Sequence, residues 1–196
     1  AIFGDYVAYQ DNADPNIVTV RQLSTGTAKP VPGSTTKYLP QSPSLADGLV
    51  AVNEYSPTRN THHASLFSFN FSNTPVFPRL FTSPVESGSG TLPQVTGNSL
   101  NWTLVWQQDG NGNNDILGRK SNGDNVAVAT GPVDRSYPAI SGNLVVWQEH
   151  NSTSGSDIYG SLLGQAGPFP ISTATGDQTN PRVQGDRVVW ADTRNG

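Results

Sequence analysis

Short runs of apolar residues, each bounded by Gly, Pro, Asn or Asp, recur along the whole chain. The runs hold four to seven residues and are rich in Val, Ile, Leu, Phe, Tyr and Trp. Such runs between turn residues are typical of β-strands, and no stretch of useful length shows the period of a helix. In GNLVVWQ, from Gly142 to Gln148, both alternating faces are apolar, as expected for a sheet covered on both sides. The pattern therefore predicts an all-β protein.

The order of these runs repeats along the chain. Each unit has a proline-led run, a second run that ends at an aromatic or apolar residue, a turn, a third run, and a short fourth run after a Gly-containing turn. The leading prolines are Pro43, Pro93, Pro138 and Pro181. The predicted units are 1–41, 42–91, 92–136, 137–179 and a partial unit 180–196. Four antiparallel strands in each period of 43 to 50 residues are typical of a propeller blade.

We therefore predict a single β-propeller domain over residues 1–196, with about four four-stranded antiparallel blades. A β-solenoid is less consistent because its coils repeat at shorter periods, and a β-sandwich has no reason to repeat its sequence. In this count the chain begins on the second strand of one blade and ends after the second strand of another, which leaves one strand more than four complete blades need. Either a four-bladed ring closes with a redundant strand, or the chain is part of a larger propeller. The end inside a predicted turn, at Arg194 to Gly196, favours the larger propeller.

The repeat also resembles a known family. GDRVVWADTRNG, from Gly185 to Gly196, and GSDIYGSLL, from Gly155 to Leu163, are similar to the TolB-like (WD40-like, PD40-type) propeller repeat. The units before residue 90 depart from that pattern, since Val52 replaces the aromatic residue. The resemblance implies a propeller that docks proteins in the bacterial envelope.

Composition narrows the function classes. Only 13% of the residues are charged, and Gly and Pro are abundant, which favours a secreted, periplasmic or cell-surface protein. The net charge of −4 and the lack of a Lys/Arg cluster argue against nucleic acid as a partner. No apolar run is long enough to span a membrane. The absence of Cys excludes thiol chemistry. The sequons at Asn70, Asn101 and Asn151 would be used only in a eukaryotic secretory pathway.

Two segments are candidates for a ligand or metal site. Oxygen-bearing side chains alternate at Asp109, Asn111, Asn113 and Asp115, a spacing that could bind Ca²⁺, although the segment also reads as an ordinary hairpin turn. The divergent loop of the second repeat, residues 42–91, contains residues that could bind a ligand: Tyr55, Arg59, His62 and His63. No other cofactor is expected.

The residues that repeat in every unit favour structural roles. The aromatic residues Trp106, Trp147 and Trp190 end equivalent runs and are expected to fill the space between blades. An acidic residue follows each run, and a structural role in the turn is expected for this set: Asp11, Glu54, Asp109, Glu149 and Asp192. Asp115 and Asp157 form a second equivalent set.

Three function hypotheses remain open from the sequence. The first is an extracytoplasmic binding or scaffold propeller that recognises a protein or a polysaccharide through its loops and performs no chemistry of its own. The second is a lyase or glycoside hydrolase with a site on one propeller face, for which none of the common catalytic motifs is present. The third is a structural blade array that needs further blades or self-association for stability.

Overall fold

The computed structural model describes residues 1–10, 14, 17–32, 39–57, 59–71, 77–83, 90–110, 112–153 and 155–194. Within these residues the chain is built from β-strands, turns and bends, without a helix. The expectation of an all-β protein is confirmed. Strands that follow each other in sequence are hydrogen-bonded neighbours, and they form four four-stranded sheets and one two-stranded sheet.

The five sheets are numbered in chain order. Sheet 1 contains β1 (Ile2–Phe3), β2 (Tyr6–Gln10), β3 (Val18–Gln22) and β4 (Ala28–Pro30). Sheet 2 contains β5 (Leu39–Ala46), β6 (Leu49–Ser56), β7 (Thr61–Ser68) and β8 (Arg79–Thr82). Sheet 3 contains β9 (Gly90–Gly97), β10 (Trp102–Gly110), β11 (Asn113–Lys120) and β12 (Asn125–Ala129). Sheet 4 contains β13 (Arg135–Ser141), β14 (Leu144–Asn151), β15 (Gly155–Leu162) and β16 (Phe169–Ser172). Sheet 5 contains β17 (Gln178–Gln184) and β18 (Arg187–Asp192).

The first strand of the chain differs from the sequence prediction. The chain was expected to begin on the second strand of a blade, but Ile2 and Phe3 form a short strand that pairs with Val7 and Tyr6. Sheet 1 therefore has four strands. The sequence pattern did not reveal β1 because a strand of two exposed residues carries no alternation of apolar and polar positions.

The chain divides into two compact units, residues 1–104 and residues 105–196. In the first unit, sheets 1 and 2 share a core. Val18 and Val20 of sheet 1 are buried in one cluster with Val50, Val52 and Phe67 of sheet 2. Full burial of each such side chain contributes roughly 1.5–3 kcal/mol to folding.

The second unit has an equivalent core between sheets 3 and 4. Val105 and Ile116 of sheet 3 lie in one cluster with Val145 and Trp147 of sheet 4. Trp147 has 0% of its surface exposed. The prediction that Trp147 fills the space between blades is confirmed. This core fixes the spacing of sheets 3 and 4, and the cleft described below lies beside it.

The leading prolines of the repeat lie next to an unusual backbone conformation. The residue before each proline has a positive φ, and the four values are +47° at Ser42, +51° at Leu92, +53° at Tyr137 and +53° at Asn180. The strand register shifts across Pro43, Pro138 and Pro181, which marks a β-bulge. A proline has no N–H to donate to the sheet, so a bulge in an edge strand accommodates it.

Candidate functional site

A cleft of about 400 Å³ opens within the second unit, beside the core between sheets 3 and 4. Its walls come from the start of β11 at Asn113, from residues 132–134, and from residues 149–152, at the end of β14 and the turn that follows it. Asp157 and Tyr159 of β15 complete the lining. A cavity of this volume lies within the range of small-ligand sites in proteins.

Strand register explains which side chains meet in the cleft. Glu149 on β14 pairs with Asp157 on β15, and Trp147 pairs with Tyr159. Because side chains alternate along a strand, these four residues share one face of sheet 4. Trp147 belongs to the core with sheet 3, so the same face continues outward from the core into the cleft.

Glu149 is held by two donors from its own sheet. The indole Nε1 of Trp147 donates to Oε2 of Glu149 at 3.2 Å, and Nε of Arg135 donates to the same oxygen at 2.9 Å. Arg135 is 7% exposed, and its Nη1 also donates to the carbonyl oxygen of Val133 at 3.1 Å. Its Nη1 lies 3.8 Å from Oδ1 of Asp115. This network holds the side chain of Glu149 in a half-buried ion pair with Arg135.

Asp134 joins the strands that border the cleft. Its Oδ1 accepts the backbone N–H of Asn114 at 2.9 Å, and its carbonyl oxygen accepts the N–H of His150 at 2.9 Å. Asp177 makes the corresponding contacts one repeat later, accepting from the N–H of Ser156 at 2.8 Å and from the N–H of Thr193 at 3.0 Å. Each aspartate therefore connects the third strand of one sheet to the C-terminal end of the second strand of the next, where Thr193 directly follows β18.

The cleft has a negative electrostatic character at Tyr159. Burial raises the pKa of the Tyr159 phenol above its usual range, and the charges of Glu149 and Asp157 raise it further. A phenol next to two carboxylates stays protonated because ionisation would add a third negative charge. Tyr159 therefore presents a neutral O–H and an aromatic ring to this space.

Three residues of the repeated acidic set accept hydrogen bonds from nearby groups, namely Glu54, Glu149 and Asp192, and Asp11 lies outside the described residues. Backbone N–H groups across the turn were expected as donors, and Asp192 accepts one from Arg194 at 3.0 Å. The structure adds the Trp indole as a second donor that recurs. Trp190 donates to Asp192 at 3.3 Å, as Trp147 does to Glu149. In sheet 3 the indole of Trp106 donates to Gln108 at 3.1 Å. Glu54, which follows Val52, accepts two hydrogen bonds from the guanidinium of Arg79.

The predicted site in the second unit of the repeat is only partly brought together. The rings of Tyr55 and His62 are cross-strand partners with centroids 4.8 Å apart, and Asn53 contacts Nδ1 of His62 at 3.0 Å. His63 lies on the opposite face, is 1% exposed, and bonds through Nδ1 to the carbonyl oxygen of Ser83 at 3.2 Å. The main chain N–H of Arg59 donates to Ser56 at 3.3 Å, and Arg59 is exposed.

The predicted calcium segment lies at the turn between β10 and β11. Asn111 lies outside the described residues. Asp109 is exposed, Asn113 lines the cleft, and Asp115 accepts the N–H of Gly131 at 3.1 Å. Among the residues that the structure describes, no group of three or more His, Asp and Glu side chains is placed to hold a metal ion. Calcium binding at this turn stays a prediction.

Asp134 and Tyr159 were not singled out from the sequence. A signal for Asp134 exists in the repeat, since DRSYP from Asp134 and DQTNP from Asp177 share an aspartate four residues before the leading proline. Tyr159 was assigned only to a strand, because nothing in a single sequence distinguishes a core tyrosine from one that lines a cleft.

Comparison with known proteins identifies the fold. TolB from Acinetobacter baumannii superposes with a TM-score of 0.59 and 12% identity, over 98% of this chain and 49% of the TolB chain. Matches of lower TM-score are the tricorn protease, at 0.43 with 11% identity over 97% of this chain and 24% of that chain, and the AtxE2 isopeptidase, at 0.44 with 9% identity over 82% and 25%.

No family model matches the chain, and no curated protein matches it in sequence. In the described part of the chain, no helix is long and apolar enough to cross a membrane. This chain spans about half of the length of the TolB chain that it resembles. The likeness to TolB, together with the four-stranded antiparallel sheets, shows that the chain has a β-propeller fold.

Proposed function

We propose that this chain is a binding module that works outside the cytoplasm and recognises a partner protein through the loops around the cleft of the second unit. The cleft is the observation that carries this proposal. It is open, about 400 Å³ in volume, and lined by groups that can donate and accept hydrogen bonds. The low fraction of charged residues supports an extracytoplasmic location.

The bonding of the carboxylates favours binding over catalysis. An acid or base catalyst must exchange a proton with a bound substrate. Glu149 accepts from Trp147 and Arg135, and Asp134 accepts from the backbone and side-chain nitrogens of Asn114. Both groups therefore serve the sheets that form the cleft, and their fixed positions suit a preorganised binding surface.

A selection experiment tests the proposal. A random peptide library displayed on phage is selected against the intact chain, and the enriched peptides are assayed against Ser152→Trp, which places a large ring at the cleft mouth. Thr175→Trp, an exposed position of the same unit that does not line the cleft, is the matched control. We expect Ser152→Trp to abolish binding and Thr175→Trp to preserve it. Peptides that bind both variants equally would contradict the proposal.

A glycan-active enzyme is the second candidate. The observation that favours it is the pairing of Glu149 with Asp157 in a cleft beside Tyr159, since two carboxylates are the usual apparatus of glycoside hydrolysis. This candidate predicts release of reducing ends from a panel of polysaccharides, and loss of that release in both Glu149→Gln and Asp157→Asn. A chain that binds a polysaccharide and leaves its length unchanged would reject the enzyme and keep a binding function.

A further inference from the structure

One face of sheet 1 carries the residues of a core but is open to solvent. Ile2 pairs with Val7, and Tyr9 lies two positions after Val7, so these three side chains share a face, called the front face. Ile2 is 71% exposed, Tyr9 is 37% exposed and Val7 is half-buried. Ala8, on the opposite face, is buried in the core with sheet 2. The front face is therefore turned away from sheet 2.

The same three positions are buried in sheets 2 and 4. The repeat and the strand pairing give the matching residues, which are at most 8% exposed and belong to the cores with sheet 1 and sheet 3: Leu45, Val50 and Val52, and Ile140, Val145 and Trp147. The front face of sheet 1 therefore has the composition of a surface that another sheet covers elsewhere in the chain. Exposed apolar groups that adjoin one another favour association because their contact removes apolar area from water.

Sheet 5 presents the other half of such a contact. In the cores between sheets 1 and 2 and between sheets 3 and 4, the first sheet contributes the residue directly before its repeated aromatic or apolar position, Ala8 or Val105. Val189 is the equivalent residue of sheet 5 and is 64% exposed. Val188 and Trp190, on the opposite face of β18, are half-buried. The face that carries Val189, called the rear face, is therefore open at the position that covers the following sheet elsewhere.

We infer that copies of this chain associate head to tail, with the rear face of one copy packed against the front face of another. The repeat indicates this pairing of faces, because Ala8 shares a core with Val52 and Val105 shares one with Trp147. Val189 and Tyr9 occupy the same two positions of the repeat. The contact between copies therefore reproduces the interface that sheet 1 forms with sheet 2 and sheet 3 with sheet 4. A contact between two different faces leaves one of each free, so association extends or closes into a ring.

Single cysteines test which faces meet, because the chain has no cysteine of its own. Tyr9→Cys marks the front face and Val189→Cys marks the rear face. The two variants are mixed and mildly oxidised in about 1 M sodium chloride, which screens the like charges of Arg21 and Arg187 on these faces. We expect a disulfide-linked dimer to form much faster in the mixture than in either variant alone. Equal or faster dimer formation by Val189→Cys alone, or no dimer in the mixture, would overturn the inference.

Lysine variants test the apolar contact without a covalent link. Ile2→Lys and Val189→Lys each place a charge on one face, and each is expected to weaken association at least about tenfold in sedimentation equilibrium. Phe3→Lys is the control for Ile2→Lys, because Phe3 is 45% exposed but lies on the opposite face of β1. Association of Ile2→Lys as strong as that of the unsubstituted chain would contradict the inference.

A mixture of the two lysine variants distinguishes a head-to-tail contact from a symmetric one. Val189→Lys keeps an intact front face and Ile2→Lys keeps an intact rear face, so one contact can form between them and no more. We expect the mixture to reach a 1:1 dimer and not to exceed it. A mixture that stays monomeric while the unsubstituted chain associates would show that the contact does not join these two faces.

The association is independent of the proposed function and goes beyond it, because its residues do not line the cleft of the second unit. Ser152→Trp is therefore expected to abolish peptide binding and to leave the association of copies unchanged. Loss of association in Ser152→Trp would place the contact at the cleft and would contradict the inference.

Discussion

At the scale of the residue, one polar arrangement recurs at the end of the second strand of a sheet. A tryptophan indole donates to the side chain two positions later, as Trp147 does to Glu149 and Trp190 to Asp192. In sheets 4 and 5 an arginine then pairs with the same carboxylate. At Trp147, whose ring lies in the core, the arrangement satisfies the indole N–H, as a buried tryptophan requires.

The buried form of this arrangement is expected to be sensitive to mutation. Glu149→Ala removes the nearer carboxylate of Arg135 and the acceptor of Trp147, so we expect a loss of about 3 kcal/mol in the free energy of unfolding. The double variant Arg135→Met/Glu149→Met should recover most of that loss because both charges are removed together. Urea unfolding of the three chains is the measurement. A double variant as unstable as Glu149→Ala would show that packing, and not the unpaired charge, causes the loss.

His62 provides a pH-dependent prediction. Burial lowers its pKa below the ordinary value of 6.5, and the neighbouring His63 lowers it further. The unfolded chain therefore binds a proton before the native chain does as the pH falls, so stability is present above about pH 6.5 and declines below it until the native His62 also protonates. NMR titration of the imidazole should give the lowered pKa directly. The decline between about pH 6.5 and pH 5 should be smaller in His62→Gln, and an equal decline would assign it to other groups.

At the scale of the element, the leading proline of each repeat is tied to a strained residue before it. Left-handed backbone costs an ordinary L-residue about 1–2 kcal/mol, and the residue before a proline usually prefers extended backbone. Tyr137 and Asn180 nevertheless have φ values of +53°. The two flanking stretches of paired strand must hold this conformation in place, because the register is regular on both sides of each bulge.

Asn180 allows the strain to be measured. The residue is exposed, so Asn180→Gly should leave packing unchanged and raise stability slightly by removing steric strain. Asn180→Val should lower stability by about 1–2 kcal/mol because a β-branched side chain tolerates positive φ poorly. Gln184→Val, at an exposed position of the same strand, is the control and should have little effect. A stable Asn180→Val chain would imply that the bulge can relax.

Much of this architecture could be predicted from the sequence, and the reason is the repeat. The prolines, the aromatic ends of runs and the turn residues report on local conformation, and equivalent positions reinforce one another. The cleft was less accessible because it depends on side chains from different sheets. Asp134 was overlooked because its partners, Asn114 and His150, lie in two different strands. His63 was grouped with His62, although adjacent residues in a strand point to opposite faces.

At the scale of the whole molecule, sheet 5 differs from the other sheets. The second strand of each sheet has an equivalent position directly before its repeated aromatic or apolar residue. In the four-stranded sheets this position is buried, with exposures of 1% at Ala8 and 0% at Ala51, Val105 and Val146. The equivalent Val189 in sheet 5 is 64% exposed. In the described part of the chain, β18 has a strand neighbour on one side only. An open strand edge beside an exposed apolar side chain favours association between copies.

Association of this kind is a property of the chain in solution that can be measured. We expect the weight-average mass in sedimentation equilibrium to rise with concentration, and Val189→Lys to reduce that rise because a charged side chain replaces the exposed valine. Leu100→Lys is the control, since Leu100 is 89% exposed but lies in a turn. A mass that stays at the monomer value for the unsubstituted chain would contradict the prediction.

The paired aspartates of the second unit have a consequence for how such a chain can be lengthened or shortened. Asp134 accepts a backbone N–H at the start of the third strand of sheet 3, and Asp177 does so for the third strand of sheet 4. Each aspartate therefore caps that strand, although it lies in the loop that leads into the following sheet. The segment that could be duplicated or deleted without losing a cap therefore runs from one aspartate to the next, from Asp134 to Gly176, and is out of phase with the sheets themselves. Engineered insertion of extra copies should join the chain at these aspartates, because a junction at the sheet boundaries would separate each cap from the loop that carries it.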